Sequence, residues 1–413
     1  MNWIKEKEMD SWLLKGAFIF MLLFPAFYSP HTDVYQSAYY AGFTCSYFLL
    51  TLYMAVQVIK NSGKNEKKKK ISLAGALFFG ILLLYNLLSL YFNRKYLHWY
   101  WEQINNTTAF LLAGLLFGGF VRPEGEKHDN IRFLIHCIVL SNIGSIIYYF
   151  MGYTNFLICN NQFIFFELPE NFYESRHYWI YSHKSEYALM LVAFVALFAA
   201  YRKKFKNKTT FCLSMSVLLF CLYLTHSWTG IAGVFLIFFG AVLDRVEWKT
   251  FRFKKWHIPA AGIVLLAAGG VAFKVMSERD IWSLGNRLPI WKAAWRVIGE
   301  YPQGWGMRFG QSAIEVAEGW FINNGHNVFL NQMLRFSIPV GICFVLLFFG
   351  IVLYTTVKGR NFLIAGMWLA VLVLMNMDYA LMSTQMALLF LIAYLVSIYN
   401  RKKPEKPRKI KEF

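Results

Sequence analysis

Long apolar runs alternate with short polar segments along the whole chain, and within each run the hydrophobic residues are continuous rather than spaced by two. Twelve runs come near the length of a membrane-crossing helix: residues 12–29, 38–59, 71–92, 106–121, 131–152, 185–200, 209–226, 229–243, 258–276, 338–356, 362–377 and 383–399. Hydrocarbon is crossed by ~20 apolar residues as a helix, whose backbone is satisfied internally, whereas barrel strands alternate apolar and polar positions. The pattern therefore predicts an all-α polytopic membrane protein with about 12 transmembrane helices. Helices 1–9 fall within residues 1–276 and helices 10–12 within 338–399, with a basic tail over 400–413.

Charge then sets an orientation. If the N-terminus is inside, the inner segments hold 30 Lys and Arg residues and the outer ones ten. Lys and Arg collect on the cytoplasmic side, so both termini are expected to be cytoplasmic. The net charge of +19 is explained by this asymmetry, with "KNEKKKK" and "RKKPEKPRKIKEF" facing anionic lipid. Membrane lipids are the implied partner, and no nucleic acid is needed. Composition agrees, because 57% of the 413 residues are hydrophobic and only 16% charged, against roughly 25% charged in soluble domains. The six cysteines show neither disulfide nor metal spacing.

Three outer segments remain: capping loops at 93–105 and 153–184, and a large loop at 277–337. Polar segments of such length between apolar helices usually carry function. In "GNRLPIWKAAWRVIGEYPQGWG", Pro289 suits a first helical turn and the later Gly and Pro residues end the helix. Trp291, Ala294, Trp295 and Ile298 would share one face of an interfacial helix, with Arg287 just ahead of its N-terminus, where an anion is favoured. "MRFGQSAIEVAEGWF" is expected to form a second short helix.

In "NNGHNVFLNQMLRF", a helix would place Asn327, Asn331 and Arg335 on one stripe, with Asn324 and His326 at its head. Pro339 would kink this helix or separate it from the span that follows. The result is a polar ledge carrying an imidazole and guanidinium groups at the membrane surface. His326 could equally be a surface histidine and Arg287 an ordinary interfacial anchor; Arg335, costly beside a span, points more strongly to a partner. Glu170 and Glu174 would share a helix face as a carboxylate pair, but Pro169 favours a solvated turn. No Asp-x-Asp pair, Gly-Lys-Ser/Thr loop or Gly-x-Ser-x-Gly elbow indicates a soluble nucleotide donor.

In their order, "GNRLPIWKAAWRVIGEYPQGWGMRFG" and "GHNVFLNQMLRFSIPVGICFVLLFFG" resemble the bacterial O-antigen polymerase and ligase superfamily. Arg287, Trp291, Pro302, Gly304, Gly306, His326 and Asn327 fill the places of its loose motifs, and the likeness spans roughly 183–355. The resemblance implies an inverting, metal-independent glycosyltransferase without cofactor in the bacterial cytoplasmic (inner) membrane. Its donor would be a glycan on undecaprenyl pyrophosphate, and its acceptor another lipid-linked glycan, the lipid A core or a protein. By that likeness His326 looks like a general base or acceptor-orienting group and Arg287 like a pyrophosphate clamp. Asn324, Asn327, Asn331 and Trp291 would serve substrate binding. The Ser-Arg pair often found in the superfamily is missing from "THSWTGIAG", leaving Lys184, Arg335 or Arg308 as the second phosphate-binding charge. A polysaccharide transporter or flippase is the rival class; it predicts midspan charges and an echo between halves, which the chain lacks.

Overall fold

The computed structural model describes residues 6–24, 41–63, 72–93, 101–123, 129–159, 162–169, 176–181, 183–245, 286–305, 314–322, 324–378, 380–381 and 383–400. The expected span at 258–276, Gly306, Arg308 and the basic tail beyond residue 400 lie outside these residues.

The described chain is a helical bundle with two small hairpins. Its elements are α1 (Glu6–Leu23), α2 (Ala41–Gly63), α3 (Leu73–Asn93), α4 (Trp101–Phe117), α5 (Asp129–Phe150), β1 (Tyr153–Cys159), β2 (Gln162–Glu167), α6 (Lys184–Tyr201), α7 (Lys208–Leu224) and α8 (Trp228–Leu243). There follow α9 (Arg287–Glu300), β3 (Ile314–Ala317), β4 (Trp320–Ile322), α10 (Val328–Phe336), α11 (Ile338–Gly359), α12 (Phe362–Met377) and α13 (Ser383–Tyr399). Among the described residues four stretches are long and apolar enough to cross a membrane: α3, α5, α11 and Lys184–Lys204, which begins with α6. Shorter apolar helices accompany them in α7, α8, α12 and α13. This is compatible with a helical membrane protein.

Position in the bundle follows from which faces are apolar. From Ser185 to Phe198 every residue of α6 is buried, and α13 is buried over most of its length, so these helices, hydrophobic all round, form the centre. In contrast, α3 exposes Leu77, Leu83, Leu84 and Leu87, and α11 exposes Ile342, Leu346, Phe349 and Leu353. Such contiguous apolar surface is what lipid, not water, would cover. Glycine lets α8 and α12 approach closely, since a Cβ at Gly240 would sit 2.4 Å from the Phe362 carbonyl oxygen and one at Gly366 2.6 Å from that of Leu236.

The helix ends sort into two groups. At one end, the Asp244 carboxylate after α8 accepts the N–H groups of Phe362 and Leu363 at 2.7 and 3.0 Å, an anion seated on the N-terminus of α12. Asn400, after α13, donates to the same carboxylate at 2.8 Å. At the other end, Asn93 of α3 donates to the Phe336 carbonyl of α10 at 3.4 Å, and Arg335 of α10 pairs with Glu102 of α4.

Several local expectations are corrected. The protein is not purely α-helical: β1 and β2 form an antiparallel hairpin pairing Tyr153 with Glu167 and Cys159 with Gln162. Where a second short helix was expected, β3 and β4 pair Ile314 with Ile322. The physical reason is an alternating "IEVA" followed by Glu318-Gly319, where Gly319 takes the left-handed φ of +72° that a tight turn requires. The expected loop at 93–105 is shorter, because α4 already begins at Trp101. In α9 the stripe buried against the protein is Ile290, Ala293, Ala294, Val297 and Ile298, and Trp295 is exposed.

Candidate functional site

The chain breaks its helical run between α10 and α11 at Ser337, whose φ of +112° is left-handed territory for a residue with a Cβ. Pro339 at the start of α11 needs no helical donor there, so α10 stands apart from the span. Five of the six described non-glycine residues with positive φ gather at this end of the bundle: Trp179, His226, Asn286, His326 and Ser337. Strain of this kind persists only where the surroundings impose it, and it collects at functional sites.

His326, with φ +46°, sits in the turn that leads into α10. The turn is built by its asparagines. Asn324 Oδ1 accepts the His326 N–H at 2.9 Å, and Asn331 Oδ1 accepts that of Gly325 at 2.7 Å. Asn327 is the N-cap of α10, accepting from Phe329 and Leu330, while its Nδ2 donates to Asn376 Oδ1 of α12 at 2.8 Å. These amide oxygens accept from backbone N–H groups of the turn and of the first turn of α10.

Asp378, which follows α12, receives that imidazole. His326 Nδ1 lies 3.0 Å from Asp378 Oδ1, and the Ser185 hydroxyl donates to Oδ2 at 2.6 Å. His183, the N-cap of α6, places Nδ1 3.7 Å from Oδ2. Burial alone would raise the Asp378 pKa, but the hydrogen bonds of His326 and Ser185 and the neighbouring His183 imidazole together hold it well below the usual carboxylate range. An ionised carboxylate only accepts, so in the neutral ring His326 Nδ1 carries the hydrogen and Nε2 presents a lone pair.

Arg287 is the first residue of α9 rather than the residue ahead of it, and its Nε donates to the Met377 carbonyl at 2.7 Å. That bond sets the guanidinium beside the residue preceding Asp378. Lys184 begins α6 directly after His183. Desolvation, followed by the charges of Lys184 and Arg176, depresses the His226 pKa, so these cations share one neighbourhood. Arg335 stands apart, engaged by Glu102. Trp291 packs against the small cluster that joins α9, α10 and β3.

No family model matches the chain, and no curated protein does either.

Sequence reasoning missed Asp378, His183 and Ser185. A lone acid in "NMDYALMS" between apolar runs was the one available signal, since an intramembrane or membrane-edge charge demands a partner. The structure thus brings an imidazole, a carboxylate that it contacts and nearby Lys and Arg residues to one end of the bundle.

Proposed function

We propose that the protein is a metal-independent, inverting glycosyltransferase of the bacterial cytoplasmic membrane. It takes a glycan from undecaprenyl pyrophosphate at the outer face and polymerises surface polysaccharide, either O-antigen or capsule repeat units. The observation that carries this reading is the 3.0 Å contact of His326 with Asp378, placed among Arg287 and Lys184. In it about 12 helices cross the membrane with both termini in the cytoplasm.

The chemistry follows from the tautomer. His326 Nε2 takes the proton of the acceptor hydroxyl as its oxygen attacks the anomeric carbon of the donor. The bond from that carbon to the diphosphate oxygen breaks, and the electron pair leaves on the diphosphate. Attack opposite the leaving group inverts the anomeric configuration. Asp378 stabilises the imidazolium formed, and the Arg287 guanidinium and Lys184 ammonium offset charge growing on the departing oxygen.

The test supplies purified protein in vesicles with an undecaprenyl-pyrophosphate oligosaccharide, with and without lipid A core. A product ladder without core supports the polymerase; a core-dependent shift identifies a ligase; neither product overturns the proposal. His326→Ala and Arg287→Ala are expected to abolish product while the protein still inserts and melts as before.

A further inference from the structure

The Asp378 carboxylate serves two imidazoles, and they are held in opposite tautomers. His326 donates its Nδ1–H to Oδ1 at 3.0 Å. His183 faces Oδ2 at 3.7 Å, beyond hydrogen-bond range, because its Nδ1 is occupied otherwise: it accepts the Ser185 N–H at 3.2 Å as the N-cap of α6. A ring nitrogen that accepts cannot carry the hydrogen, so neutral His183 bears it on Nε2. The Oδ2 position is taken by the Ser185 hydroxyl at 2.6 Å, which removes the competing pull on His183 Nδ1. Desolvation lowers the His183 pKa; Asp378 opposes this, and Lys184, His326 and Arg176 add to it, so the neutral ring is favoured.

The two rings thus present a lone pair and an N–H donor on either side of one carboxylate. The side chain of His183 is 47% exposed, and Nε2–H is the ring group that the helix cap does not use. Lys184 is its chain neighbour, and Arg176 lies close enough to act on both His183 and His226. A donor beside two cations suits a phosphate oxygen, not an incoming alcohol.

We propose that His183 donates the Nε2–H hydrogen bond to a diphosphate oxygen of the lipid-linked donor, opposite the base His326. This deepens the transferase reading and rests on it. No proton is transferred; the bond shortens as charge gathers on the oxygen.

Two substitutions separate this role from helix capping. Asn at position 183 keeps an oxygen where Nδ1 lies and is a favoured N-cap, but lacks the distal donor. Gln carries an amide N–H out to the Nε2 position but places no acceptor at the cap. The readout is binding of geranylgeranyl pyrophosphate in detergent, with geranylgeraniol as the control for the tail and inorganic pyrophosphate as competitor. His183→Asn is expected to weaken binding by about tenfold or more, while His183→Gln stays within about threefold of wild type. Competition by inorganic pyrophosphate, with no such effect on geranylgeraniol, assigns the interaction to the diphosphate. Any other pattern, including equal loss in both variants or unchanged binding in His183→Asn, overturns the assignment. The two readings fail separately: binding with this dependence but no glycan product sinks the transferase, whereas product formation unaffected in His183→Asn sinks only this role.

Discussion

At the scale of single residues, Asp378 carries the first prediction. Replacing it by Asn keeps the shape but lets the amide N–H face His326 Nδ1, which moves the ring hydrogen to Nε2 and removes the base. Transfer by Asp378→Asn is expected to fall about 100-fold or more in kcat with KM little changed, measured as glycan product per unit time. His177 carries the second. It is wholly buried between β2 and α6, with Nε2 2.7 Å from Ser145 Oγ. Burial is the dominant influence and lowers its pKa from 6.5 to about 4, partly opposed by hydrogen bonding near Thr154, Ser145 and Tyr153. Because the folded value is depressed, the unfolded chain binds the extra proton first as pH drops. The stabilisation is therefore complete above about pH 6.5 and lost on the way down to about pH 4, amounting to about 3 kcal/mol. A His177→Gln variant should show a flatter melting temperature between pH 7 and pH 4 than wild type. Of these residues only His326 was singled out from the sequence, at the head of the polar stripe formed by Asn327, Asn331 and Arg335. Asp378 lies 52 positions away in sequence, and nothing short of the packing of α10 against α12 brings it to the imidazole.

At the scale of elements, the sequence was most legible where lipid or core dictates a long apolar run, as in α3, α5, α6 and α11, whose bounds fall within a few residues of the expected ones. It was least legible in short polar segments, where one Gly decides between a turn of helix and a hairpin. Arg335 shows the difference that packing makes. Its helical stripe pointed to substrate, yet in the folded chain it meets Glu102, and the two side chains are 19% and 18% exposed. The pair straps α10 to α4 and so holds the short helix that His326 precedes. Removing one member leaves a largely desolvated charge, so Arg335→Met alone is expected to cost about 3 kcal/mol, seen as a lower melting temperature in detergent. Arg335→Met combined with Glu102→Gln should recover most of that loss together with transferase activity. A stable double variant that remains inactive would instead return Arg335 to the substrate.

At the scale of the whole molecule, the two ends of the bundle differ in chemistry. The Asp244 end is followed or preceded by the Lys- and Arg-rich segments, among them Arg202, Lys203 and Lys204, whereas the other end carries most of the strained turns, both hairpins and the Asp378 cluster. Lys and Arg collect on the cytoplasmic side of a bilayer, so the proposed function requires His326, Asp378 and His183 to lie on the far side, where it takes its lipid-linked donor. The consequence is measurable in intact cells with a membrane-impermeant thiol reagent. Glu318, exposed between β3 and β4, and Lys206, exposed before α7, sit at opposite ends of the bundle. In a background with the native cysteines replaced by serine or alanine, a cysteine at position 318 is expected to react before lysis, and one at 206 only afterwards. The reverse pattern would put the imidazole and its carboxylate in the cytoplasm, away from any externally presented donor. The geometry of the cluster would then stand, but its substrate would have to be an anionic lipid or nucleophile reached from inside.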